Sequence, residues 1–218
     1  MSRHLPETAS IAHHGEGEKL VAPSAARNVG PICDLLELIA PTVGTALELA
    51  SGTGQHIIAY AAHFPGLQWQ PTEIDSNRRA SIDSYAAAAG LDNIAPALNL
   101  NAATPGWGAQ HGGQALILLS NLLHLISDNE AQVLIAEAAI ALAPGGIFVI
   151  YGPFMRGGEL TSDGDVRFHA SLTGHDPEIG YKDDFDTMDL LQDSGLDMVD
   201  VIEMPANNLA LIAQKAAF

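Results

Sequence analysis

The chain has 218 residues, of which 47% are hydrophobic, and this suits a single globular domain with a sizeable core. Its 26 acidic residues against nine basic ones give a net charge of −17, so a nucleic acid or an anionic membrane would meet electrostatic repulsion. No apolar run approaches the roughly 20 residues that cross a bilayer, and the single cysteine, Cys33, excludes an intramolecular disulfide or a cysteine-based zinc cage.

The first part of the chain is polar, and we interpret residues 1–23 as a flexible lead-in to a domain over residues 24–218. The opening stretch MSRHLPETAS has neither an apolar core nor a small-residue cleavage pattern, so we expect no secretory signal and a cytoplasmic protein. Apolar residues then recur at helical spacing from Ile32 to Ile39 and predict a first helix with Pro31 in its first turn.

Strands and helices alternate from residue 45 onward, which predicts parallel strands covered by helices on both faces. Ser76 and Ser127 are the expected N-caps of two of these helices, and Ser127 forms a capping box with Glu130. The predicted strands are 45–51, 67–75, 93–100, 114–120 and 147–152, and the predicted helices are 55–64, 76–90 and 127–143, with a turn at 144–146.

The last two predicted strands, 196–204 and 208–215, follow a helix at about 184–194 and are separated by only three residues. Such a short link cannot make a right-handed crossover, so these strands should pair antiparallel. The sequence therefore predicts an α/β fold: a single doubly wound, mostly parallel seven-stranded sheet with an antiparallel last strand.

The turn after the first predicted strand, in ALELASGTGQH (46–56), is rich in small residues. Glycines at the carboxyl end of a parallel strand let a ligand lie against bare backbone. Ile57 stands where a dinucleotide-binding turn needs its third glycine, which disfavours a nicotinamide-dependent oxidoreductase. The acid-x-Gly-x-Gly-x-Gly turn typical of S-adenosylmethionine sites is matched from Glu48 to Gly54, with Ala50 in the first glycine position.

Two further predicted strands end in polar residues. Glu73 lies about 20 residues downstream of the turn, where an acid can accept hydrogen bonds from ribose hydroxyls, although Glu73 and Asp75 also suit an ordinary helix N-cap. Asn101 follows the third strand, where polar side chains can meet the adenine edge. The predicted S-adenosylmethionine-binding residues are Arg27, Asn28, Glu48, Ala50, Ser51, Gly52, Gly54, His56, Glu73, Asn101 and Asn121.

The chain also carries the segments ARNVGPI (26–32), LELASGTGQH (47–56), LQWQPTEID (67–75), SNLLHL (120–125), YGPFMRGGELTS (151–162), RFHASL (167–172) and EMPANNLAL (203–211). Together they resemble class I S-adenosylmethionine-dependent methyltransferases and, more specifically, the methyltransferase-like 26 family, also called UPF0585 or DUF938. The resemblance implies the seven-stranded fold and the cofactor, and it gives no substrate. Members often carry Asp where this chain has Glu73 and Asn101; Glu73 can still bind hydroxyls, whereas Asn101 loses the charge.

Three residues are predicted to be catalytic. His124 is a candidate base or substrate contact, because the ordinary pKa of histidine lies near neutral pH, or else a core histidine among leucines. Arg156 is a candidate for binding a substrate carboxylate, or for a surface ion pair. Tyr151 either lines an acceptor pocket or packs in the core.

The favoured function is an S-adenosylmethionine-dependent methyltransferase acting on a small-molecule acceptor. The alternative is a non-catalytic S-adenosylmethionine-binding module that acts through a protein partner, since a fold does not fix a function. No set of His, Asp and Glu has the spacing of a metal site, so no metal is expected. The oligomeric state is left open by the sequence.

Overall fold

A computed structural model of the protein describes residue 6 and residues 9–217. Within them, the helices are α1 (Pro23–Ile39), α2 (Gln55–His63), α3 (Ser76–Ala89), α4 (Trp107–Gln110), α5 (Asp128–Ala141), α6 (Asp163–His175) and α7 (Asp184–Asp193). The strands are β1 (His13–His14), β2 (Leu20–Val21), β3 (Gly44–Leu49), β4 (Leu67–Pro71), β5 (Gln114–Ser120), β6 (Leu142–Met155), β7 (Lys182–Asp183), β8 (Leu196–Met204) and β9 (Asn208–Lys215).

The main sheet has seven strands in the order β4-β3-β5-β6-β9-β8, with the short β7 beside the end of β6. Strands β3 to β6 run parallel, while β9 is antiparallel to both β6 and β8. The predicted doubly wound, mostly parallel seven-stranded sheet with an antiparallel last strand is confirmed. The chain moves outward from β3 to β4 and then returns to the other side of β3 to form β5, so the strand order reverses between β3 and β5.

Both faces of the sheet are buried, which explains the continuous apolar runs in its strands. In β5, Ile117 and Leu119 pack into the core on the side of α5 and α7, whereas Leu116 and Leu118 pack into the core on the side of α1, α2 and α3. All four side chains are fully buried. A parallel strand covered on both faces shows no polar alternation, so its sequence is apolar throughout.

The predicted strand at 93–100 is not continuous. It runs beside β4 and makes two isolated bridges, between Trp69 and Ile94 and between Thr72 and Leu98. Pro71 and Pro96 lie between these bridges, and proline has no backbone N–H to donate to a ladder. The seventh strand of the sheet is β7 instead.

Helix boundaries also differ from the sequence prediction in places. α1 begins at Pro23, so Pro31 lies inside the helix and not in its first turn. The N-cap of α3 is Asp75, whose carboxylate accepts hydrogen bonds from the backbone N–H groups of Asn77 and Arg78, and Ser76 is the first helical residue. The capping box at Ser127 is confirmed, with both of its hydrogen bonds present.

Residues 144–146 do not form a separate turn between α5 and the next strand. β6 already begins at Leu142, and the pairing register with β5 shifts between Gln114 and Leu116, which accommodates the extra residues as a bulge. Gly145 has a φ of +76° there, a conformation that favours glycine. α6 was not predicted, although Ser162 caps it by accepting a hydrogen bond from the Asp165 N–H.

The lead-in predicted over residues 1–23 is partly folded. β1 and β2 pair antiparallel in a small hairpin that contacts α3, and residues 1–5 and 7–8 lie outside the described part of the chain. Among the helices of the described part, none has the length and apolar character needed to cross a membrane.

Candidate functional site

A cavity of about 840 Å³ opens where the parallel strands of the main sheet end. Its lining begins at Glu73, which follows β4, and includes Ala50, which follows β3. It continues with Ser120 at the end of β5 and reaches Asn208 at the start of β9. These points span five adjacent strands, and strands lie ~4.8 Å apart, so the cavity is on the order of 19 Å wide. That width accommodates two small molecules side by side at the reversal of strand order, where open α/β sheets bind ligands.

The loop after β3 presents bare backbone to this cavity. Gly52 lines it with a φ of +60°, and a Cβ added there would meet Arg78 Nη1 at an ordinary contact distance of 3.9 Å. The loop is held from behind, because the Ser51 N–H donates to the Thr72 carbonyl (2.7 Å) and the Thr72 N–H donates to Ser51 Oγ (3.1 Å).

Ala50 occupies the position at which the S-adenosylmethionine turn has its first glycine. Its φ is +51°, so an alanine is held in the left-handed region that favours glycine. The sequence departs from the pattern here, and the backbone does not.

Gly54 lies outside the cavity lining, although the sequence predicts a cofactor contact there. It precedes α2 with a φ of +93°, and a Cβ added to it would lie 2.8 Å from the Cα of Ile82 in α3. Close packing of α2 against α3 therefore explains this glycine.

Glu73 joins the end of β4 to the loop after β3. Its Oε2 accepts a hydrogen bond from the Gly52 N–H (3.1 Å), and its Oε1 accepts from the N–H groups of Ile74 (2.8 Å) and Asp75 (3.1 Å). The side chain lines the cavity and is 6% exposed. Of the two residues weighed as a helix N-cap, Asp75 alone has that role, which leaves Glu73 at the ligand-facing edge.

Glu48 lies at the cavity wall, 1% exposed, and its Oε2 accepts no hydrogen bond from the described residues. Burial raises the pKa of this carboxyl to about 8, and the nearby charge of Glu73 adds to the rise. Glu48 is therefore mostly protonated at neutral pH, and a cation entering the cavity would favour its ionised form.

The other predicted cofactor residues lie around the same half of the cavity. His56 Nε2 donates to the Ala25 carbonyl (3.1 Å), and burial lowers its pKa to about 4, so its ring is neutral. Asn101 Oδ1 accepts from the Ala103 N–H (3.0 Å). Arg27 and Asn28, in the first turns of α1, line the cavity, and Arg27 is exposed.

His124 and Asn121 line the half of the cavity beyond β5, where Asn121 has a φ of +56°. The His124 ring is 5% exposed, and its nitrogens bond to none of the described residues. Burial, with a smaller effect of the Lys182 charge, lowers the pKa of His124 to about 3. The ring meets Phe168 and Tyr181 edge to face, with centroids 5.7 and 6.1 Å away. A neutral imidazole in an aromatic wall thus faces the cavity.

Tyr151 and Arg156, the two other residues predicted to be catalytic, do not line the cavity. Tyr151 is 1% exposed in the core on the α1 side, and its Oη accepts a hydrogen bond from Asn208 Nδ2 (3.0 Å). Arg156 Nη2 donates to the carbonyls of Asn207 (3.1 Å) and Asn208 (3.4 Å). Both side chains lie behind the turn between β8 and β9.

That turn, Pro205–Asn208, forms the wall of the cavity at its β9 end through Ala206 and Asn208. Ala206 and Asn207 have φ values of +59° and +60°, and two consecutive left-handed residues need support from elsewhere. Asp165 in α6 supports it by accepting a hydrogen bond from Asn207 Nδ2 (3.2 Å), and Arg156 and Tyr151 also bond to the turn.

Sequence reasoning missed several residues that line the cavity. Phe168 belongs to the unpredicted α6, which the Ser162-x-x-Asp165 pattern could have indicated. Tyr181 precedes the two-residue β7, which is too short to leave a pattern. Further lining residues that were not predicted as ligand contacts include Ala9, Ser10, Ile11, Ala12, Thr53, Ile74, Asp75, Arg78, Ser120, Pro153, Ala206 and Asn208.

The match to a protein-family model decides the relationship. The model described as "Protein of unknown function (DUF938)" matches residues 19–215. The chain belongs to the DUF938 family. Its members have no function assigned by that description, so the family alone gives no reaction.

Solved structures share the fold of this DUF938 protein. An O-methyltransferase family protein from Burkholderia thailandensis superposes with a TM-score of 0.76 and 18% identity, covering 89% of this chain and 59% of that chain. PigF with SAH superposes with a TM-score of 0.72 and 14% identity, covering 87% of this chain and 56% of that chain. An O-methyltransferase family 2 protein from Planctomyces limnophilus, in complex with apigenin, superposes with a TM-score of 0.71 and 17% identity. That match covers 88% of this chain and 61% of that chain. The chain thus shares the fold of these proteins and spans about three-fifths of their length.

We expect the substitution Ala50→Gly to raise the free energy of unfolding by up to about 1 kcal/mol. It relieves a left-handed conformation that costs an L-residue about 1–2 kcal/mol, and the greater freedom of glycine in the unfolded chain offsets part of that gain. Urea unfolding checks it, with Ala80→Gly inside α3 as a matched control that should lose about 1 kcal/mol. Equal losses in both variants would contradict the strain at residue 50.

The contribution of Glu48 to stability should fall as the pH rises from about 4.5 to about 8, because over that range the folded protein holds a proton on Glu48 that the unfolded chain releases. Glu48→Gln removes this loss, so the melting temperature of the variant minus that of the wild type should increase as the pH rises. The buried neutral His56 and His124 act in the opposite direction below about pH 6.5, so the variant is compared with the wild type at each pH. Thermal unfolding of both proteins between pH 5 and pH 8.5 measures the difference. A difference that stays constant with pH would contradict a protonated Glu48.

Arg156→Gln should loosen the Pro205–Asn208 turn. The variant loses charged hydrogen bonds to two carbonyls, and such bonds are worth about 1.5–3 kcal/mol, so amide hydrogen exchange at residues 206–208 should accelerate at least about tenfold. Arg167→Gln, on the exposed side of α6, is the matched control and should leave that exchange unchanged. Equal exchange rates at residues 206–208 in the two variants would show that Arg156 does not stabilise the turn.

Proposed function

We propose that this protein is an S-adenosylmethionine-dependent methyltransferase that methylates a hydroxyl group on a small aromatic molecule. The observation that carries the proposal is the pairing of bare backbone at Gly52 with the Glu73 carboxylate, at the point where the strand order reverses. Open α/β sheets bind ligands at this point, and the likeness to an O-methyltransferase family protein and to PigF with SAH supports the same use here.

The residues present fit the cofactor. Gly52 leaves room for a ligand against the main chain, and Glu73 offers a carboxylate for ribose hydroxyls. Asn101 would lie at the nucleoside end, and the unbonded Oε2 of Glu48 suits a cationic amino group. Bound S-adenosylmethionine would supply a methyl group on a positively charged sulfur, which is an electrophile.

The far half of the cavity fits a flat apolar acceptor. Phe168 and Tyr181 form an aromatic wall with their centroids 6.1 Å apart, and the Tyr181 hydroxyl is already engaged, because it donates to Asp165 Oδ1 (3.0 Å). His124 is the polar group in this wall with ring nitrogens free to meet a ligand. An aromatic ring stacked or tilted against this wall would bring a hydroxyl substituent to His124.

His124 would orient the acceptor oxygen and take its proton. The neutral imidazole accepts a hydrogen bond from the hydroxyl, so that an oxygen lone pair faces the methyl group. During methyl transfer, His124 would take the proton that the hydroxyl loses and pass it to water. A protonated ether is far more acidic than an imidazolium, so a histidine with a lowered pKa still accepts this proton once the bond has formed.

The cofactor part of the proposal is tested by calorimetry with S-adenosylhomocysteine. Glu73→Gln should weaken binding at least about tenfold, because it removes a charged hydrogen-bond acceptor. Glu137→Gln is the matched control, since Glu137 is also a buried carboxylate that accepts backbone N–H bonds, from Gly106 (2.7 Å) and Gly108 (2.6 Å), but lies outside the cavity. Absence of binding by the folded wild type would overturn the proposed function.

The acceptor part is tested by mass-spectrometric detection of S-adenosylhomocysteine after incubation with S-adenosylmethionine and a panel of phenols. His124→Gln should lower the transfer rate at least about a hundredfold while leaving cofactor affinity unchanged. His63→Gln, on the exposed end of α2, is the control and should transfer at the wild-type rate. Transfer only to amines or thiols would overturn the aromatic hydroxyl as acceptor.

A further inference from the structure

The segment of residues 9–22, here called the N-terminal strap, forms one wall of the cavity. Ala9, Ser10, Ile11 and Ala12 line it together with Ile74, Asp75 and Arg78, which lie just beyond β4. Ile11 is 47% exposed, so the other described residues leave an apolar side chain uncovered at the cavity edge. The strap thus borders the nucleoside end of the cavity, next to Glu73.

Helix α3 holds the strap by contacts with β2, the second strand of the strap. The Leu20 N–H donates to Ser81 Oγ (2.8 Å), and Tyr85 Oη donates to the Leu20 carbonyl (3.2 Å). The Lys19 ammonium lies 5.1 Å from the centre of the Tyr85 ring, a distance at which cation and ring attract each other. These contacts depend on a serine that is fully buried and a tyrosine that lies outside the cavity.

The same contacts connect the strap to the loop after β3. Ser81 Oγ donates to the Thr53 carbonyl (2.7 Å), so one buried hydroxyl bonds to the strap and to the loop at once. Gln55 Oε1 makes a second link of this kind, because it accepts from the Ala22 N–H (2.6 Å) and from Thr53 Oγ1 (3.0 Å). Movement of the strap therefore disturbs both partners of Thr53.

Arg78 fastens the other end of the strap. Its Nη2 donates to Ser10 Oγ (2.6 Å) and to the Ser10 carbonyl (3.2 Å). The Arg78 guanidinium also faces Gly52, with Nη1 3.9 Å from the place of an added Cβ. The strap, α3 and the bare backbone of the loop therefore meet at one side chain.

We propose that the N-terminal strap is part of the cofactor site: it covers the nucleoside half of a bound adenosyl cofactor and must detach from α3 before the cofactor leaves. This inference rests on the proposed function, since it requires that the cavity bind S-adenosylhomocysteine. Bound cofactor would cover Ile11 and hold the loop that Ser81 and Gln55 share with the strap. Cofactor binding and strap closure therefore stabilise each other.

The test measures the dissociation rate of S-adenosylhomocysteine by stopped-flow displacement in the full-length protein. Tyr85→Phe removes one strap contact without touching the cavity, and it should speed dissociation about fivefold, the effect of losing one hydrogen bond. Ser81→Ala breaks the shared link and should speed dissociation further. Ser84→Ala, on the same helix and outside these contacts, is the matched control and should dissociate at the wild-type rate.

Trypsin cleavage after Lys19 gives a second measurement that needs no variant to fold. A saturating concentration of S-adenosylhomocysteine should slow this cleavage at least about tenfold, because the closed strap keeps Lys19 on Tyr85. Wild-type dissociation rates in Tyr85→Phe and Ser81→Ala, together with unprotected cleavage, would overturn the strap as part of the site. Failure of the wild type to bind S-adenosylhomocysteine would overturn the proposed function instead.

Discussion

The arrangement of the cavity depends on one carboxylate that gathers the ends of two strands. Glu73 accepts hydrogen bonds from the N–H groups of Gly52, Ile74 and Asp75, and so fixes the loop after β3 against the end of β4. Without this acceptor, three backbone donors in partly buried hydrogen bonds would lose their partner. The position of the bare backbone, the direction of α3 and the contact of Arg78 with the strap all follow from this junction.

The cavity is electrically different from the surface that surrounds it. The chain carries a net charge of −17, whereas the two most deeply buried ionisable groups at the cavity wall, Glu48 and His124, are both neutral near pH 7. Burial acts on both in the direction that removes charge, raising the pKa of the acid and lowering that of the base. A cationic ligand is therefore drawn by the outer field and meets, inside, a carboxyl group that can ionise in response.

Periodicity and turn chemistry predicted the sheet well, because strands buried on both faces and helices that cross between them leave strong patterns in a sequence. The antiparallel pairing of β8 and β9 followed from a three-residue link alone. Prediction failed where prolines interrupt the pairing of a segment that otherwise suits a strand. Residues 93–100 read as a strand, yet two prolines interrupt their ladder with β4.

Most of the predicted residues that line the cavity lie around the ends of β3 and β4, and beyond β5 the sequence predicted only Asn121 and His124. Glu48, Gly52 and Glu73 end or follow strong strands, so a one-dimensional pattern located them. The opposite wall comes from α6, a two-residue strand and a turn held by Arg156, and none of these has a period to detect. Gly54 and Arg156 were recognised as unusual residues, but packing and turn support account for them in place of ligand contact.

The two halves of the cavity come from different parts of the chain. The loop after β3 and the end of β4 belong to the first half of the sequence, whereas α6 and the hairpin tip between β8 and β9 come late in it. Because a hairpin tip can change in length and composition without altering the register of its strands, this wall is free to diverge while the opposite one stays constant. Substitutions near position 206 can therefore reshape this wall of the cavity with no change at the end of β4.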